Sequence, residues 1–205
     1  MTHLVLIRHG RSEMNAQRRV QGWLDSPLDE IGRAQARLLA DRLRDWELQV
    51  IYTSSLKRAL ETAEIVAQVL QVPTVVDERL RERGVGDLTG LNREEIESQF
   101  PEWLRQWEGN RRVSAPGGEP IGLFWSRVSA VFGEIVDNIT EGSVAVVTHG
   151  GVLQVYLSQL LGMEQGYSPP FSFGNCSISE VEITEHGSRV HMLNDRCHLY
   201  GEDMG

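Results

Sequence analysis

Leu4-Val5-Leu6-Ile7 is an uninterrupted apolar run, with no polar position to face water. That pattern predicts a strand buried on both faces. From Asp29 to Trp46 the spacing becomes helical, with Ile31, Ala34, Leu38, Leu39 and Leu43 sharing one face. Val50-Ile51-Tyr52 predicts a second strand, Leu56 to Leu70 a second helix, and Thr74 to Val76 a third strand after Pro73. Asn92 to Asn110 is helical in pattern but carries Pro101, which has no N–H for the helical ladder, so two short helices are expected. The loop Ala115-Pro116-Gly117-Gly118 leads into a long helix from Glu119 to Asn138. Ser143 to Val147 repeats the buried-strand pattern and runs into Thr148-His149-Gly150-Gly151 and a helix ending at Leu161. Ser177 to Ile183 and Arg189 to Leu193 predict two closing strands, with a turn at His186-Gly187.

Strands alternate with helices, which predicts an α/β three-layer sandwich around a largely parallel central sheet. No repeat, low-complexity tract or linker divides the chain, so residues 1–205 are read as a single domain.

Composition narrows the function. The formal net charge of -9 excludes nucleic acid as a partner, because a phosphate backbone requires a basic surface. No apolar run approaches the roughly 20 residues that cross a bilayer, so no membrane partner is expected. The Leu4–Ile7 run is too short for a signal-peptide core, and the expected location is the cytoplasm. Cys176 and Cys197 belong to no CxxC or metal-spaced cluster, and both are expected to be buried free thiols.

The chemistry lies at two strand ends. In open α/β sheets, ligands bind outside the carboxyl ends of the strands. The first run ends in Arg8-His9-Gly10 and the later one in Thr148-His149-Gly150-Gly151. A glycine after each histidine lets the backbone turn sharply and approach a ligand, and a helix starting there aims free N–H groups at an anion. Metal binding is the competing reading, and the absence of an HxH, HxxxH or local carboxylate cluster weighs against it.

Arg8-His9-Gly10 with Ser12 and Asn15 resembles the signature of the histidine phosphatase superfamily, which includes the cofactor-dependent phosphoglycerate mutases. Further blocks follow in the family's order. They are Gln21-Gly22 with Asp25-Ser26-Pro27-Leu28, Ser54-Ser55-Leu56-Lys57-Arg58-Ala59, Leu80-Arg81-Glu82, Pro116-Gly117-Gly118-Glu119 and His149-Gly150-Gly151. The resemblance implies a phosphoglycerate mutase-like fold and a phosphoryl group carried on His9. A neutral imidazole can attack phosphorus without first losing a proton. Arg8, Arg58 and His149 are the implied clamp on the phosphoryl oxygens, with His149 favoured in its charged form beside the phosphate. Glu82 is the implied general acid for the leaving alkoxide and the base for the attacking water. Asn15, Gln21, Gly22 and Gly150 are the implied further contacts to substrate. No metal and no cofactor are expected, and the resemblance admits a homodimer.

Within the family, Arg111-Arg112 is followed by Val113-Ser114-Ala115-Pro116 rather than the longer insert of the mutases, which favours a phosphatase acting on a small phosphorylated metabolite. The tail Asn194-Asp195-Arg196-Cys197-His198-Leu199, with Ser172-Phe173-Gly174, resembles that of metal-independent phosphoserine phosphatases, so phosphoserine is the first expectation. Val85, where the phosphoserine enzyme carries a histidine, weighs against it. A mutase, a phosphatase for α-ribazole phosphate, a phosphoglycerate derivative or a sugar phosphate, and a non-catalytic phospholigand-binding module remain the alternatives. Selectivity is expected to come from Arg11, Arg83, Arg111-Arg112 and His198, with the tail returning His198 over the pocket.

Overall fold

The computed structural model describes residues 2–109, 113–139, 141–165 and 171–200. Its centre is a six-stranded sheet in the order β3-β2-β4-β1-β5-β6. The strands are β1 (Thr2–Arg8), β2 (Leu48–Thr53), β3 (Thr74–Val76), β4 (Gly142–Thr148), β5 (Ile178–Thr184) and β6 (Gly187–Asp195). The first four are mutually parallel; β5 joins β1 antiparallel, and β6 pairs antiparallel with β5 at the sheet edge. The helices are α1 (Glu13–Ala16), α2 (Glu30–Arg42), α3 (Lys57–Leu70), α4 (Arg93–Gln99), α5 (Pro101–Gly109), α6 (Ile121–Asp137) and α7 (Gly150–Leu160).

The apolar run in β1 works as its pattern requires. Leu4 and Leu6 pack with Val144 and Val146 of β4 against α6 and α7, where Phe124, Val128, Phe132 and Leu153 are buried. Val5 and Ile7 face the other way with Ala145 and Val147, against Ala36 and Leu39 of α2 and Ala59, Ala63 and Val66 of α3. Small residues on α2 and α3 let those helices lie close to the strands. Leu39, with no exposed surface, anchors that layer; its truncation to alanine costs about 2–5 kcal/mol.

The helix expected to reach Trp46 stops at Arg42. Its last N–H groups shift to tighter bonds, Leu43 to Ala40 and Trp46 to Leu43, and Glu47 adopts φ 48° to turn the chain into β2. Apolar periodicity continues through such a terminal turn although the helix does not. The Pro101 break is as expected, with α4 ending at Gln99 and α5 starting at the proline. These two short helices form a third cluster around Leu88, Ile96 and Leu104, separate from the two main layers. Among the described residues, no helix is long and apolar enough to cross a membrane.

Candidate active site

Parallel pairing of β1 with β4 puts Arg8 opposite Thr148, so His9 and His149 leave adjacent strands at the same level. The His9 N–H donates to the Thr148 carbonyl at 2.9 Å, and the two ring centroids are 5.1 Å apart. On the other side of β4, Thr53 pairs with Val147. The chain then passes Ser54 and enters α3, whose first turn carries Arg58. Two strand ends and one helix start thus bring Arg8, His9, Arg58 and His149 together from distant parts of the sequence.

The tautomer of His9 follows from its partner. Nδ1 lies 2.7 Å from the Gly10 carbonyl, which can only accept, so Nδ1 carries the proton and Nε2 keeps a free lone pair. Burial, reinforced by the positive charges of Arg58 and Arg8, holds the His9 pKa well below the ordinary histidine value. His9 is therefore neutral in the free site. His149 is fully buried, and its pKa is also held far down, by burial and then Arg58, His9 and Arg8. His149 is therefore neutral in the free site, before a phosphate is bound to favour its charged form. Its Nε2 lies 2.8 Å from the Ser54 hydroxyl. If Ser54 donates to Nε2, the unpaired buried Nδ1 is left as a neutral N–H donor.

The two arginines are the unusual feature. Arg58 is only 1% exposed, yet neither it nor Arg8 has a carboxylate within ion-pair distance among the described residues. Arg58 donates to the Leu24 and Gly22 carbonyls, at 2.9 Å each, and Arg8 donates to the Phe173 carbonyl. The Nε of each is buried without a partner. Burial pulls the Arg58 guanidinium down to about 10, with Glu82 opposing the shift and Arg8 adding to it. A buried and a half-buried cation, Arg58 and Arg8, each without an ion-pair partner, are costly in free energy unless an anion completes them.

Neutral donors surround this point. Asn15 Oδ1 accepts from the Ser12 N–H, and the single Ser12 hydroxyl proton is shared between Asn15 Oδ1 at 3.0 Å and Gln21 Oε1 at 2.9 Å. Both side chains line a cavity of about 260 Å³ with Arg8, His9, Gly22 and Arg58, leaving their amide N–H groups for a ligand. Gly150 opens α7 directly after His149, next to Arg8.

Glu82 lines this cavity and also a larger one of about 540 Å³ beyond it. Its position at the junction is where an ester oxygen would bridge a clamped phosphate and an outer group. The carboxylate accepts from the Gly151 N–H at 3.1 Å and the Arg83 N–H at 2.9 Å. The segment that carries it is held by Arg127, which donates to the Arg79, Arg81 and Glu82 carbonyls and pairs with Glu119 at 2.7 Å. Arg127 was not singled out from the sequence. Nothing near it on α6 marks it, and only its long-range contacts reveal the role. Asn175, which donates to the His9 carbonyl at 3.0 Å, escaped notice for the same reason.

Of the residues expected to select the substrate, Arg83 alone lines the cavities. Arg11 is paired with Asp29 at 2.7 Å, and Arg111-Arg112 lie outside the described residues. His198 lines neither cavity. It sits in a short 3₁₀ turn, Cys197–Leu199, and the next residue, Leu199, is buried in the layer of α2 and α3. Apolar burial of Leu199 carries the turn to that layer, so His198 does not return over the pocket as expected. Cys176 is a buried thiol pushed up to about 12 by burial. Cys197 is exposed, contrary to expectation, because the same turn buries Leu199 instead.

Two expected outcomes follow from this geometry. A Cβ on Gly151 would lie 2.3 Å from Glu82 Oε1, so Gly151→Ala must displace the carboxylate while leaving α7 with a better helix former. Turnover of alkyl phosphates should fall about 100-fold, the scale of a 1 Å misplacement, with inorganic phosphate affinity changed less than about threefold. Steady-state kinetics and phosphate titration check this pair of results. Unfolding should also respond to acid. The unfolded chain takes up protons at His9 and His149 near pH 6.5, whereas the folded site resists until far lower pH. Stability is therefore complete above about pH 6.5 and falls as pH drops below it, by up to about 1.4 kcal/mol per pH unit for each imidazole. Denaturant midpoints between pH 7 and 5 should fall more steeply in the wild type than in His149→Asn.

Arginines without carboxylate partners beside a neutral imidazole, at the carboxyl ends of parallel strands, make a pocket suited to an anion such as phosphate. Residues 4–196 match the histidine phosphatase superfamily (branch 1), and the chain belongs to that family. It is 34% identical over 200 residues to phosphoserine phosphatase 1 of Hydrogenobacter thermophilus, covering 97% of this chain and 95% of that protein. It is 33% identical over 205 residues to the probable phosphoglycerate mutase GpmB of Yersinia pestis, with the same coverage. The solved structure of Bacillus stearothermophilus YhfR superposes with a TM-score of 0.89 at 37% identity, over 97% of this chain and all of that one.

Proposed function

We propose that the chain is a phosphomonoesterase that works through a phosphohistidine on His9. The single observation that carries this reading is the pair of guanidinium groups, half-buried Arg8 and buried Arg58, whose buried Nε atoms are unpaired beside a neutral His9. A phosphoryl group supplies the missing anion. His9 Nε2 forms a bond to phosphorus as the P–O bond to the alcohol breaks, and Glu82 gives its proton to the departing oxygen. Water then attacks phospho-His9, returns a proton to Glu82, and releases inorganic phosphate with neutral His9 restored. Arg8 and Arg58 hold the equatorial oxygens through both steps.

The relatives bear different names, one a phosphoserine phosphatase and one a probable phosphoglycerate mutase. The first supports phosphoserine as a substrate, but similarity of this degree spans more than one substrate. Water as final acceptor is tested directly with 3-phosphoglycerate. The expected products are glycerate and inorganic phosphate, formed equally with EDTA present. Conversion to 2-phosphoglycerate without phosphate release would establish a mutase, and phosphate binding without any turnover a non-catalytic module.

A further inference from the structure

Beyond Glu82 the site opens into the cavity of about 540 Å³, within the 300–1,000 Å³ range of pockets that enclose drug-sized ligands. The two cavities share Val20, Glu82, Arg83 and Val85, so whatever is esterified to a clamped phosphate extends into the larger one. A serine leaving group would occupy little of that volume. The walls are the α4–α5 pair and the segments beneath it: Val20, Val85, Ile96, Trp103, Leu104 and Trp107. Trp103 and Trp107 stack with centroids 5.7 Å apart at 22°. The Trp103 indole N–H is spent on the Ser114 carbonyl at 2.9 Å, so its ring contributes apolar surface.

Most polar side chains among the described lining residues are already engaged. Arg83 donates through Nε to the Glu119 carbonyl and through Nη2 to the Ser114 hydroxyl, at 3.0 and 2.9 Å. Arg93 is paired with Glu97 and Glu108, each at 2.6 Å. Gln154 donates to the Phe171 carbonyl at 3.2 Å. Arg18 is an exposed, solvated residue at the rim. Glu82, the one acidic side chain among the described lining residues, holds its proton for the departing oxygen and gives a substrate carboxylate no cationic partner. An amino-acid leaving group would give up its hydration for few partners, whereas an apolar one would cover indole and aliphatic surface.

We propose that this chamber is a leaving-group subsite that selects phosphomonoesters of bulky apolar, ring-bearing alcohols over those of small charged alcohols such as serine. The proposal rests on the phosphomonoesterase reading, and its test separates the two. Ethyl phosphate and 2-phenylethyl phosphate are both primary alkyl esters with leaving groups of similar basicity, so the difference between them reports the subsite rather than the chemistry. The wild-type enzyme should favour 2-phenylethyl phosphate in kcat/KM by about 30-fold, the equivalent of two to three buried methylenes, and should favour it over O-phosphoserine as well. In Trp107→Ala the ratio of the two alkyl esters should fall below about fivefold. A measurement that needs no variant is competitive inhibition by 2-phenylethylphosphonate and methylphosphonate, with the first expected to bind about 30-fold tighter. Turnover of all three esters without a preference for the arylalkyl one overturns the subsite, as does an unchanged ratio in folded Trp107→Ala. Tight arylalkyl phosphonate binding without hydrolysis of any ester supports the subsite and overturns the phosphomonoesterase reading instead.

Discussion

His9→Ala should reduce turnover of every phosphomonoester by about 10⁴-fold or more, the scale seen when a covalent nucleophile is removed from an otherwise intact site. The loss should be the same for good and poor leaving groups, because without Nε2 no bond to phosphorus forms at all. The fold should survive, since the ring's hydrogen bond is to the neighbouring Gly10 carbonyl and holds no distant segment in place. The clamp should survive too. Arg58 keeps its bonds to Leu24 and Gly22, and inorganic phosphate should bind the variant within about fivefold of the wild-type affinity. Rapid turnover by a folded, phosphate-binding His9→Ala protein would mean that another group attacks phosphorus.

Glu82→Gln should have the next largest effect, and one that depends on the substrate. General acid catalysis contributes typically about 10²–10⁴-fold, most of it where the departing oxygen is strongly basic. Alkyl phosphates should lose that much in kcat, and an aryl phosphate at most about tenfold. The amide keeps the size of the carboxylate and one oxygen for the Gly151 or Arg83 N–H. Its second contact becomes an NH₂ group facing a donor, so some loss of positioning is common to all substrates. The discriminating quantity is the ratio of the two losses. Equal losses on aryl and alkyl esters would assign Glu82 to positioning alone.

Much of this site was legible because its members lie where local pattern is strongest. The Leu4–Ile7 and Ser143–Val147 runs are buried on both faces, so their apolar residues are continuous and their ends sharp. Register pairing of Arg8 with Thr148 then makes His9 and His149 neighbours. Arg58 was implied by the family resemblance of Ser54–Ala59, with which its place near a helix start agrees, and the proline break between α4 and α5 followed from the chemistry of Pro101. What the sequence hid depends on contacts between distant segments. Arg127 reaches three carbonyls in 79–82 from the middle of α6, and no spacing rule marks it. His198 was misplaced because its neighbour Leu199 determines where the turn packs. In the free site burial and two nearby arginines keep His149 neutral, and the charge expected of it beside a phosphate depends on the bound anion. The outer chamber was missed because its apolar residues come from 20, 85 and 96–107, segments that meet only in the folded chain.

The central claim is a covalent phosphoryl bond to His9 Nε2. Mixing the enzyme with a ³²P-labelled alkyl phosphate and quenching in alkali within the first turnover preserves a phosphohistidine, which is acid-labile and base-stable. The account predicts label approaching one equivalent per chain if dephosphorylation is slower than phosphorylation, or a smaller transient amount if it is faster. In either case the label maps to the peptide containing His9, is lost on acid treatment and is absent from His9→Ala. Label on any other residue would contradict it, as would inversion of configuration at a chiral phosphorus during hydrolysis, since two successive displacements through His9 must give retention.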